Sequence, residues 1–447
     1  MLLGPPEPER VRIHRALVHP LCLFLPLLLA PAAASGFTIS DTVGDGTGEP
    51  LKWDTAEPVP FRFHYAGADE LARLTMVDLM RQGFQTWADV PGAALSFEEG
   101  RIFVGPAAHH EGTDQVDGRS VIFFVESAWP HGGEVIALTS VSFAADGEIL
   151  DSDLAFNSAD HVFTTVDAGG AKDFLSIATH EAGHFVGLGH SAEADATMFA
   201  EYEDGDIFLR DLSPDDAAGL SALYPCRAEP CLGVVVWEDG KACDAGGAAP
   251  TVLALLLVGV ALRRRRTGGA LAVLGLAAVI TLPGVADGTF VERLPVSVLG
   301  TEADAVVRAR VVDTEAFYDG IVRTRVTLEV RETWAGESGG SVEIVVPGGL
   351  LDEPVEVIGP DGPLEKKLAG TRVFGAPRLV AGDEIVAFVD GSGIRGLSQG
   401  VFFVDGEQIS RELSGLSFAR VDGVPPLMTV APGTVGELRE MVERLER

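Results

Sequence analysis

Three histidines and a glutamate are grouped in the sequence HEAGHFVGLGH, at His180, Glu181, His184 and His190. On a helix, His180 and His184 are one turn apart, so both imidazoles project from one face and can bind the same zinc ion. We expect Gly187 to end that helix, because glycine accepts the left-handed backbone of a sharp turn. The chain then doubles back, and His190 is predicted to supply the third metal ligand.

This ligand pattern predicts a catalytic zinc site. Three protein nitrogens leave one coordination position open for water, whereas a structural zinc has all four positions filled by protein. Zinc lowers the pKa of its water toward roughly 7 and polarises a peptide carbonyl. We predict that Glu181 takes the proton of this water as general base and passes it to the leaving amine. The predicted reaction is hydrolysis of a peptide bond without a covalent intermediate.

Strand and helix patterns around the motif predict an α+β domain over residues 36–225. Residues 59–65 alternate like a strand, and VIALTSVSFA at 135–144 is rich in β-branched residues. A helix is predicted over residues 68–90, where apolar residues recur at helical spacing. The residues of this helix expected in the core are Leu71, Leu74, Leu79, Phe84 and Trp87.

A further helix is predicted for the segment LSPDDAAGLSALYP, which ends near residue 225. Ser213 suits the N-cap position and Pro214 suits the first helical position. Asp215 and Asp216 carry negative charge, which the positive end of a helix dipole favours.

The active-site segment resembles the matrixin family of the metzincin clan. HEAGHFVGLGHS is similar to the matrixin helix, including Ser191 after the third histidine, and ATMFAEY lies where matrixins carry their Met-turn. The resemblance implies that Met198 forms a hydrophobic floor beneath the zinc. It also implies that Tyr202 belongs to the wall of the pocket for the residue after the cleaved bond. Ala200 stands where matrixins usually have proline, so the shape of this pocket departs from the family pattern.

The resemblance covers about residues 51–225 and implies a metzincin-like catalytic domain. Such a domain has a twisted sheet, a long active-site helix and a C-terminal helix. LSPDDAAGLSALYP is similar to that C-terminal helix, with Asp215 and Asp216 at the paired acidic positions. GEILDSDLAFN is similar to a strand that precedes the active-site helix in bacterial members of the family.

Vertebrate matrixins often have a propeptide whose cysteine caps the zinc. In this chain no cysteine lies between Cys22 and Cys226, so that latency mechanism is expected to be absent. The domain is then expected to need no proteolytic activation beyond removal of a leader.

Calcium is a second candidate cofactor beside the catalytic zinc. Asp151, Asp153 and Asn157 offer the oxygen ligands that hard cations prefer, although solvated carboxylates at a strand edge are the favoured alternative. The second, structural zinc of the family has no assigned position in this sequence. His109 and His110 are adjacent, but the favoured interpretation of both is an ordinary surface loop.

Residues 1–34 have the pattern of a secretory signal peptide. Arginines precede the apolar run LCLFLPLLLA, and the small residues of PAAASG follow it. The run is too short to span a membrane comfortably, so cleavage is favoured over anchoring. Removal of the leader takes Cys22 away and leaves Cys226, Cys231 and Cys243. One pair of these could form a disulfide in an oxidising compartment.

A linker rich in Gly, Ala and Cys occupies residues 226–244, and two uncharged runs follow within 245–286, on either side of four arginines at 263–266. Two interpretations stay open. A membrane hairpin would keep the arginines in the cytoplasm and both flanking domains outside. An internal signal peptide would instead be cleaved near Ala286. Cys243, the apolar run and the arginines also resemble a sorting tag of the MYXO-CTERM kind.

Residues 288–447 predict a β-rich domain of unknown role. Short alternating runs separated by Gly, Asp and Pro predict an antiparallel sandwich or a small barrel. The last segment, TVGELREMVERLER, predicts a short amphipathic helix. We find no catalytic constellation in this part of the sequence.

The charge balance excludes one class of partner. The chain has 33 basic and 66 acidic residues and a formal net charge of −33, which argues against nucleic acid because its phosphates would be repelled. We expect an exported zinc metalloendopeptidase acting on proteins or peptides. It would be anchored in a membrane at the cell surface or in the periplasm, or secreted. The oligomeric state has no signal in the sequence.

Two other functions stay open. The first is a catalytically silent zinc-binding module, against which Glu181 argues, because holding the metal does not require that residue. The second is a surface adhesion or docking protein, defined by the C-terminal β-rich domain.

Overall fold

A computed structural model provides the structure of this chain. The described residues are 36–65, 73–104, 118–165, 171–226, 235–236, 289–319, 321–359, 362–367, 369–420 and 432–445. They belong to one compact unit, Ser35–Arg447. The predicted leader and the apolar segments at 245–286 lie outside the described residues. Within the described ranges, no helix combines the length and the apolar character needed to cross a membrane.

The described residues are divided below into an N-terminal region, residues 36–226, and a C-terminal region, residues 289–445. The helices are α1 (Arg73–Ala88), α2 (Phe174–Phe185), α3 (Pro214–Leu223), α4 (Val296–Glu302) and α5 (Val435–Leu445). The strands before the C-terminal region are β1 (Val59–Phe63), β2 (Phe97–Glu99), β3 (Val121–Val125), β4 (Val135–Ala144), β5 (Ile149–Asn157), β6 (Phe163–Thr164), β7 (Lys172–Asp173), β8 (Glu201–Glu203) and β9 (Val235–Val236). The strands of the C-terminal region are β10 (Thr289–Glu292), β11 (Ala305–Tyr318), β12 (Val322–Gly336), β13 (Ser341–Pro347), β14 (Gly349–Leu350), β15 (Val355–Gly359), β16 (Gly362–Lys367), β17 (Ala369–Val373), β18 (Glu384–Asp390), β19 (Gly393–Ile394), β20 (Val401–Asp405), β21 (Gln408–Ser410) and β22 (Leu416–Arg420).

The larger sheet combines strands from both regions. Among the described residues it has 11 strands, with the main order β8-β22-β10-β4-β5-β3-β1-β2-β9. Parallel pairing joins β1 to β2, β1 to β3 and β3 to β5. Strand β4 runs antiparallel to β5, with Ala137 opposite Phe156. Strand β4 covers the run at 135–144 that the sequence predicted as a strand.

Three strands of the C-terminal region lie beside the N-terminal region in this sheet. Strands β10 and β17 both run antiparallel to β4, with Phe290 opposite Ala137 and Val373 opposite Ser140. Strand β22 runs parallel to β10 on one side and to β8 on the other. The gap between β4 and β8 is therefore filled by β10 and β22.

Helix α1 packs against α2 through one apolar stripe. Met76, Met80, Phe84 and Trp87 recur every three or four residues and are buried. The indole N–H of Trp87 donates to the carbonyl of Thr179 on α2 at 2.8 Å. The prediction that Phe84 and Trp87 belong to the core is confirmed.

The predicted core of α1 is wrong at Leu74. This side chain is 73% exposed. Leu74 lies two positions before the buried Met76, which places it about 200° around the helix, on the outer face. Leu79 is partly buried against the core, and Leu71 lies outside the described residues.

Helix α3 begins as its sequence predicts. Ser213 is the N-cap, and its hydroxyl accepts hydrogen bonds from the amides of Asp215 and Asp216 at 3.2 and 3.3 Å. The carboxylate of Asp216 accepts the amide of Ser213 at 2.8 Å. This reciprocal capping box stabilises the first turn, with Pro214 at its first helical position.

The smaller sheet belongs to the C-terminal region. Among the described residues it has seven strands, in the order β13-β12-β11-β18-β20-β21 with β19 on β18, and its pairs are antiparallel. One face carries apolar side chains such as Val307 and Leu328. The other face packs against α4 and α5, through Leu299 and Leu438. The β-rich character and the final helix agree with the sequence; the sandwich or barrel stays a prediction.

Candidate metal centre and active site

Helix α2 carries His180, Glu181 and His184, all fully buried. Asp173 is the N-cap of this helix, and its carboxylate accepts the amide of Ser176 at 2.8 Å. Its other end is fixed by a glycine turn. These capping contacts hold the three functional side chains at defined positions beneath the larger sheet.

The turn after α2 needs glycine at residue 187. Gly187 has a φ of +92°, and a Cβ there would lie 2.2 Å from the carbonyl oxygen of Leu51. The amide of Leu188 donates back to the carbonyl of Gly183 at 3.0 Å. The expectation that Gly187 ends the helix and turns the chain is confirmed.

The three predicted ligand histidines come together after this turn. Among the described residues, His180, His184 and His190 are the one group of three or more metal-binding side chains, and their ligand atoms all lie within 4.8 Å of one another. The Nε2 atoms of His180 and His184 are 2.9 Å apart. Two unprotonated ring nitrogens at this distance repel each other unless a cation or a proton lies between them.

The opposite nitrogen of each ring has a carbonyl partner. Nδ1 of His180 donates to the carbonyl of Thr197 at 2.6 Å, and Nδ1 of His184 donates to that of Leu188 at 2.9 Å. Nδ1 of His190 donates to the carbonyl of Ser414 at 3.0 Å. Because these carbonyls assign the proton to Nδ1, the Nε2 lone pairs are left to bind a metal.

Burial keeps the three imidazoles neutral. It lowers the pKa of each histidine well below its ordinary value, and the neighbouring histidine lowers it further. Neutral imidazole is the form that binds zinc. Three converging, neutral nitrogen donors therefore fit a zinc ion with one position left for another ligand.

Glu181 lies next to this cluster with a perturbed carboxyl group. Burial raises its pKa to about 8, whereas a hydrogen bond from the hydroxyl of Thr139 and the nearby backbone amide of Phe290 oppose the rise. The Thr139 hydroxyl donates to Oε2 of Glu181. A divalent cation held by the histidines would favour the carboxylate and lower this pKa. A carboxyl group in this setting can exchange protons near neutral pH.

Met198 lies beneath the active-site helix. A Cβ at Gly183 would come within 2.2 Å of Met198 Sδ, so the sulfur packs directly against the helix backbone. The amides of Thr197 and Met198 donate to Asp216 at 2.7 and 3.0 Å, and the Met198 carbonyl accepts the amide of Ser191 at 2.7 Å. Asp216, at the start of α3, thus fixes the turn that holds Met198.

Tyr202 is buried on β8 and contacts both regions. Its hydroxyl accepts the amide of Asp173 at 2.7 Å. Burial raises its pKa. Its ring meets that of Phe290 edge-to-face, with centroids 5.7 Å apart. Any role of Tyr202 in a substrate pocket stays a prediction.

No sequence motif marked the residues that the C-terminal region brings to this centre. The hydroxyl of Ser417 lies 2.6 Å from Nε2 of His190 and 3.0 Å from Nε2 of His180. The ring of Phe290 lies 4.5 Å from that of His180. A lone serine and phenylalanine within strand patterns carry no motif that could have marked them.

The candidate calcium ligands have structural partners. Asp151 accepts the amide of Ser120 at 2.8 Å, and Asp153 accepts the amide of Val121 at 2.6 Å. The side-chain amide of Asn157 donates to the carbonyl of Val135 at 2.8 Å. These contacts join β5 to its surroundings, and calcium binding stays unconfirmed.

Two other predictions concern the histidine pair His109 and His110 and the cysteines. His109 and His110 lie outside the described residues. Cys226 is disulfide-bonded; the other three cysteines lie outside the described residues as well.

Comparison with known proteins connects this geometry to one family. A family model described as matrixin matches residues 52–225. Human matrilysin (Homo sapiens) is 45% identical over 56 residues, which cover 12% of this chain and 21% of the relative. The hatching enzyme of Paracentrotus lividus is 30% identical over 182 residues, which cover 39% of this chain and 26% of the relative. Mouse stromelysin-1 (Mus musculus) is 38% identical over 81 residues, 18% of this chain and 16% of the relative.

These matches support a matrixin-type zinc metallopeptidase domain in the N-terminal region. The mixed α and β architecture is consistent with a metzincin-like catalytic domain, and the three-histidine group fits its zinc site. The chain spans less than a third of the length of each relative named above.

Proposed function

We propose that this chain is an exported, zinc-dependent endopeptidase. The observation that carries the proposal is the convergence of three neutral Nε2 donors beside Glu181 in one buried cluster. When bound there, zinc would lower the pKa of a water molecule and polarise the carbonyl of the scissile bond. Matrixins are the family that this site and the matched segment favour.

Different side chains of the N-terminal region bind the metal and transfer the proton. His180, His184 and His190 would hold the metal through Nε2. Glu181 accepts the proton of the attacking water at its carboxylate and delivers it to the nitrogen of the leaving amine. The Thr139 hydroxyl orients that carboxylate through its hydrogen bond.

Protein or peptide substrates outside the cytoplasm suit this activity. The predicted leader directs the chain to export, and the disulfide at Cys226 supports an oxidising compartment. Residues 245–286 would act as a retained hairpin, a MYXO-CTERM-like sorting tag or an internal signal, in a protein of bacterial type. Secretion and attachment to a membrane are the two resulting localisations.

Metal analysis and a peptide-library assay test this function. Purified chain is expected to contain about one zinc ion, since three ligands form one site. Residues 36–226, checked for folding by circular dichroism, are expected to cleave peptides when zinc is present. A fragment that is folded and binds zinc but cleaves nothing would favour the catalytically silent module. That second candidate draws support from the C-terminal strands that cover the centre.

A further inference from the structure

We propose that the C-terminal region is a built-in inhibitor of the metal centre, with the Ser417 hydroxyl as the fourth donor to the metal. This inference rests on the proposed function, because it presumes a zinc ion held by the three histidines. It concerns a position that catalysis needs open for water.

The first argument is the occupied edge of β4. A free edge strand next to a catalytic centre can bind an extended peptide by adding it as a further strand. In this chain the edge is paired with its own strands: Phe290 of β10 is opposite Ala137, and β17 continues along β4 to Ala144. A substrate therefore cannot pair with this edge while the C-terminal strands remain in place.

The second argument concerns strand β8, which lies across the centre from β4 and is also paired with a C-terminal strand. Strand β22 pairs with β8, with Ala419 opposite Tyr202, and the amide of Phe418 donates to the carbonyl of Ala200 at 2.7 Å. Ala200 and Tyr202 are the positions that the family resemblance assigns to the wall of a substrate pocket. Strands β10 and β22 thus fill the space between the two walls.

The third argument is the identity of the atoms at the centre. Ser417 is fully buried, and its hydroxyl lies 2.6 Å from Nε2 of His190 and 3.0 Å from Nε2 of His180. These are the nitrogens that would bind zinc. Three nitrogens and one oxygen complete the four-coordinate set that zinc prefers, so no position would remain for a water molecule.

Aromatic side chains seal the space around the serine. The ring of Phe290 packs at a tilt against that of His180, with centroids 4.5 Å apart, and Phe374 stacks on His184 at 4.7 Å. Both phenylalanines are fully buried. Water and substrate are excluded from the histidines as long as these rings stay in place.

Ion pairs also join the N-terminal region to the C-terminal region. Lys172 of the N-terminal region lies 3.4 Å from Glu292, and Glu134 lies 3.1 Å from Arg395.

A hydroxyl is a weaker zinc ligand than a thiolate, because zinc favours the softer sulfur. The Ser417 hydroxyl, called the serine cap here, can therefore be displaced from the metal. The intact chain can be latent without a capping cysteine.

The experiment uses the full chain with Co²⁺ in place of zinc, because cobalt reports its ligands by absorption. Ser417→Cys is expected to add a sulfur-to-cobalt charge-transfer band in the near ultraviolet. Ser410→Cys is the matched control, because Ser410 is an exposed serine of the same region, on β21. The control is expected to show no such band.

A second measurement follows access to the metal. Ser417→Ala is expected to bind azide at cobalt about five- to tenfold more tightly than the unchanged chain, the factor that corresponds to one lost hydrogen-bonding contact. Hydrolysis of peptides by the zinc form is expected to rise by a similar factor, because loss of the Ser417 contact favours displacement of the C-terminal strands by that factor. Ser410→Ala, at an exposed position of β21, leaves both values unchanged.

The outcomes separate this inference from the proposed function. Bound cobalt without a sulfur band in Ser417→Cys, or unchanged azide affinity in folded Ser417→Ala, overturns the serine cap and leaves the peptidase proposal standing. Failure of the unchanged chain to bind cobalt or zinc overturns both. Metal binding with a working cap, but no hydrolysis in any variant, overturns the peptidase alone.

Discussion

The N-terminal and C-terminal regions orient the metal ligands by different means. Nδ1 of His180 and Nδ1 of His184 donate to carbonyls that lie 17 and 4 residues away in the chain. Nδ1 of His190 donates to the carbonyl of Ser414, 224 residues away. A short motif and its turn therefore orient two ligands locally, whereas the third ligand is oriented by a contact that forms only when both regions are folded.

The two regions also differ in what they contribute to the proposed reaction: one contributes the reacting groups, and the other controls access to the metal centre. In the proposed function, the N-terminal region supplies the metal ligands and the proton acceptor, and the C-terminal region supplies the residues that cover them, Ser417, Phe290 and Phe374. Changes in the first region are expected to abolish metal binding or proton transfer. Changes in the second are expected to alter access while the metal stays bound.

The strongest test of the first half of this comparison is His184→Ala. With two histidine ligands left beside the weakly binding Ser417 hydroxyl, the site is expected to lose nearly all of its zinc, from about one ion per chain to almost none. Metal analysis by mass spectrometry measures this. His161→Ala is the control, because His161 is buried but bonds to the carbonyl of Gly133 instead of joining the cluster. Unchanged zinc content in His184→Ala would contradict the ligand assignment.

Glu181→Gln separates metal binding from proton transfer. The amide cannot accept the proton of the water, so turnover is expected to fall by about 10²–10⁴-fold while zinc content is unchanged. The comparison is made in the Ser417→Ala background, where the C-terminal strands are expected to be displaced more easily from the centre. Glu98→Gln, at an exposed position, serves as the control. Near-normal turnover in Glu181→Gln would remove this residue from the mechanism.

Gly187→Ala compares a turn of the N-terminal region with one of the C-terminal region. Left-handed backbone strain costs about 1–2 kcal/mol for a residue with a Cβ. At Gly187 that Cβ would also meet the Leu51 carbonyl at 2.2 Å, whereas at Gly391, with a φ of +55°, it would meet nothing within 4 Å. Denaturant unfolding is expected to show a loss about 1–3 kcal/mol larger at Gly187, the range for overpacking. Equal losses would show that the close approach is relaxed.

Asp216→Ala tests how the floor beneath the helix is held. The carboxylate accepts the amides of Thr197, Met198 and Ser213, so its removal leaves buried donors without partners. Each such donor costs about 1–3 kcal/mol. For three donors we expect a loss of about 3 kcal/mol or more in the free energy of unfolding, at the upper end of what single substitutions cost. The exposed Asp195→Ala is the control, and a loss no larger than its own would show that the turn around Met198 is held by packing alone.

Local patterns predicted the elements that depend on neighbouring residues. The spacing of His180 and His184, the turn at Gly187 and the capping box of Ser213 all arise from contacts within a few residues, so their sequence patterns are sufficient. The error at Leu74 shows the limit of local patterns. An apolar residue fits the helical period only approximately, and its burial depends on what packs against that face.

By itself, the sequence predicted the grouping of the three histidines, the glutamate proposed as proton acceptor and the β-rich character of the C-terminal region. The tertiary structure alone decided that β10, β17 and β22 pair with the N-terminal sheet and that Ser417 lies at the metal centre. Alternation along a strand shows which side chains face a core, but it does not identify the strand that pairs with it. That choice depends on contacts across more than two hundred residues, and a single serine carries no pattern that would reveal it.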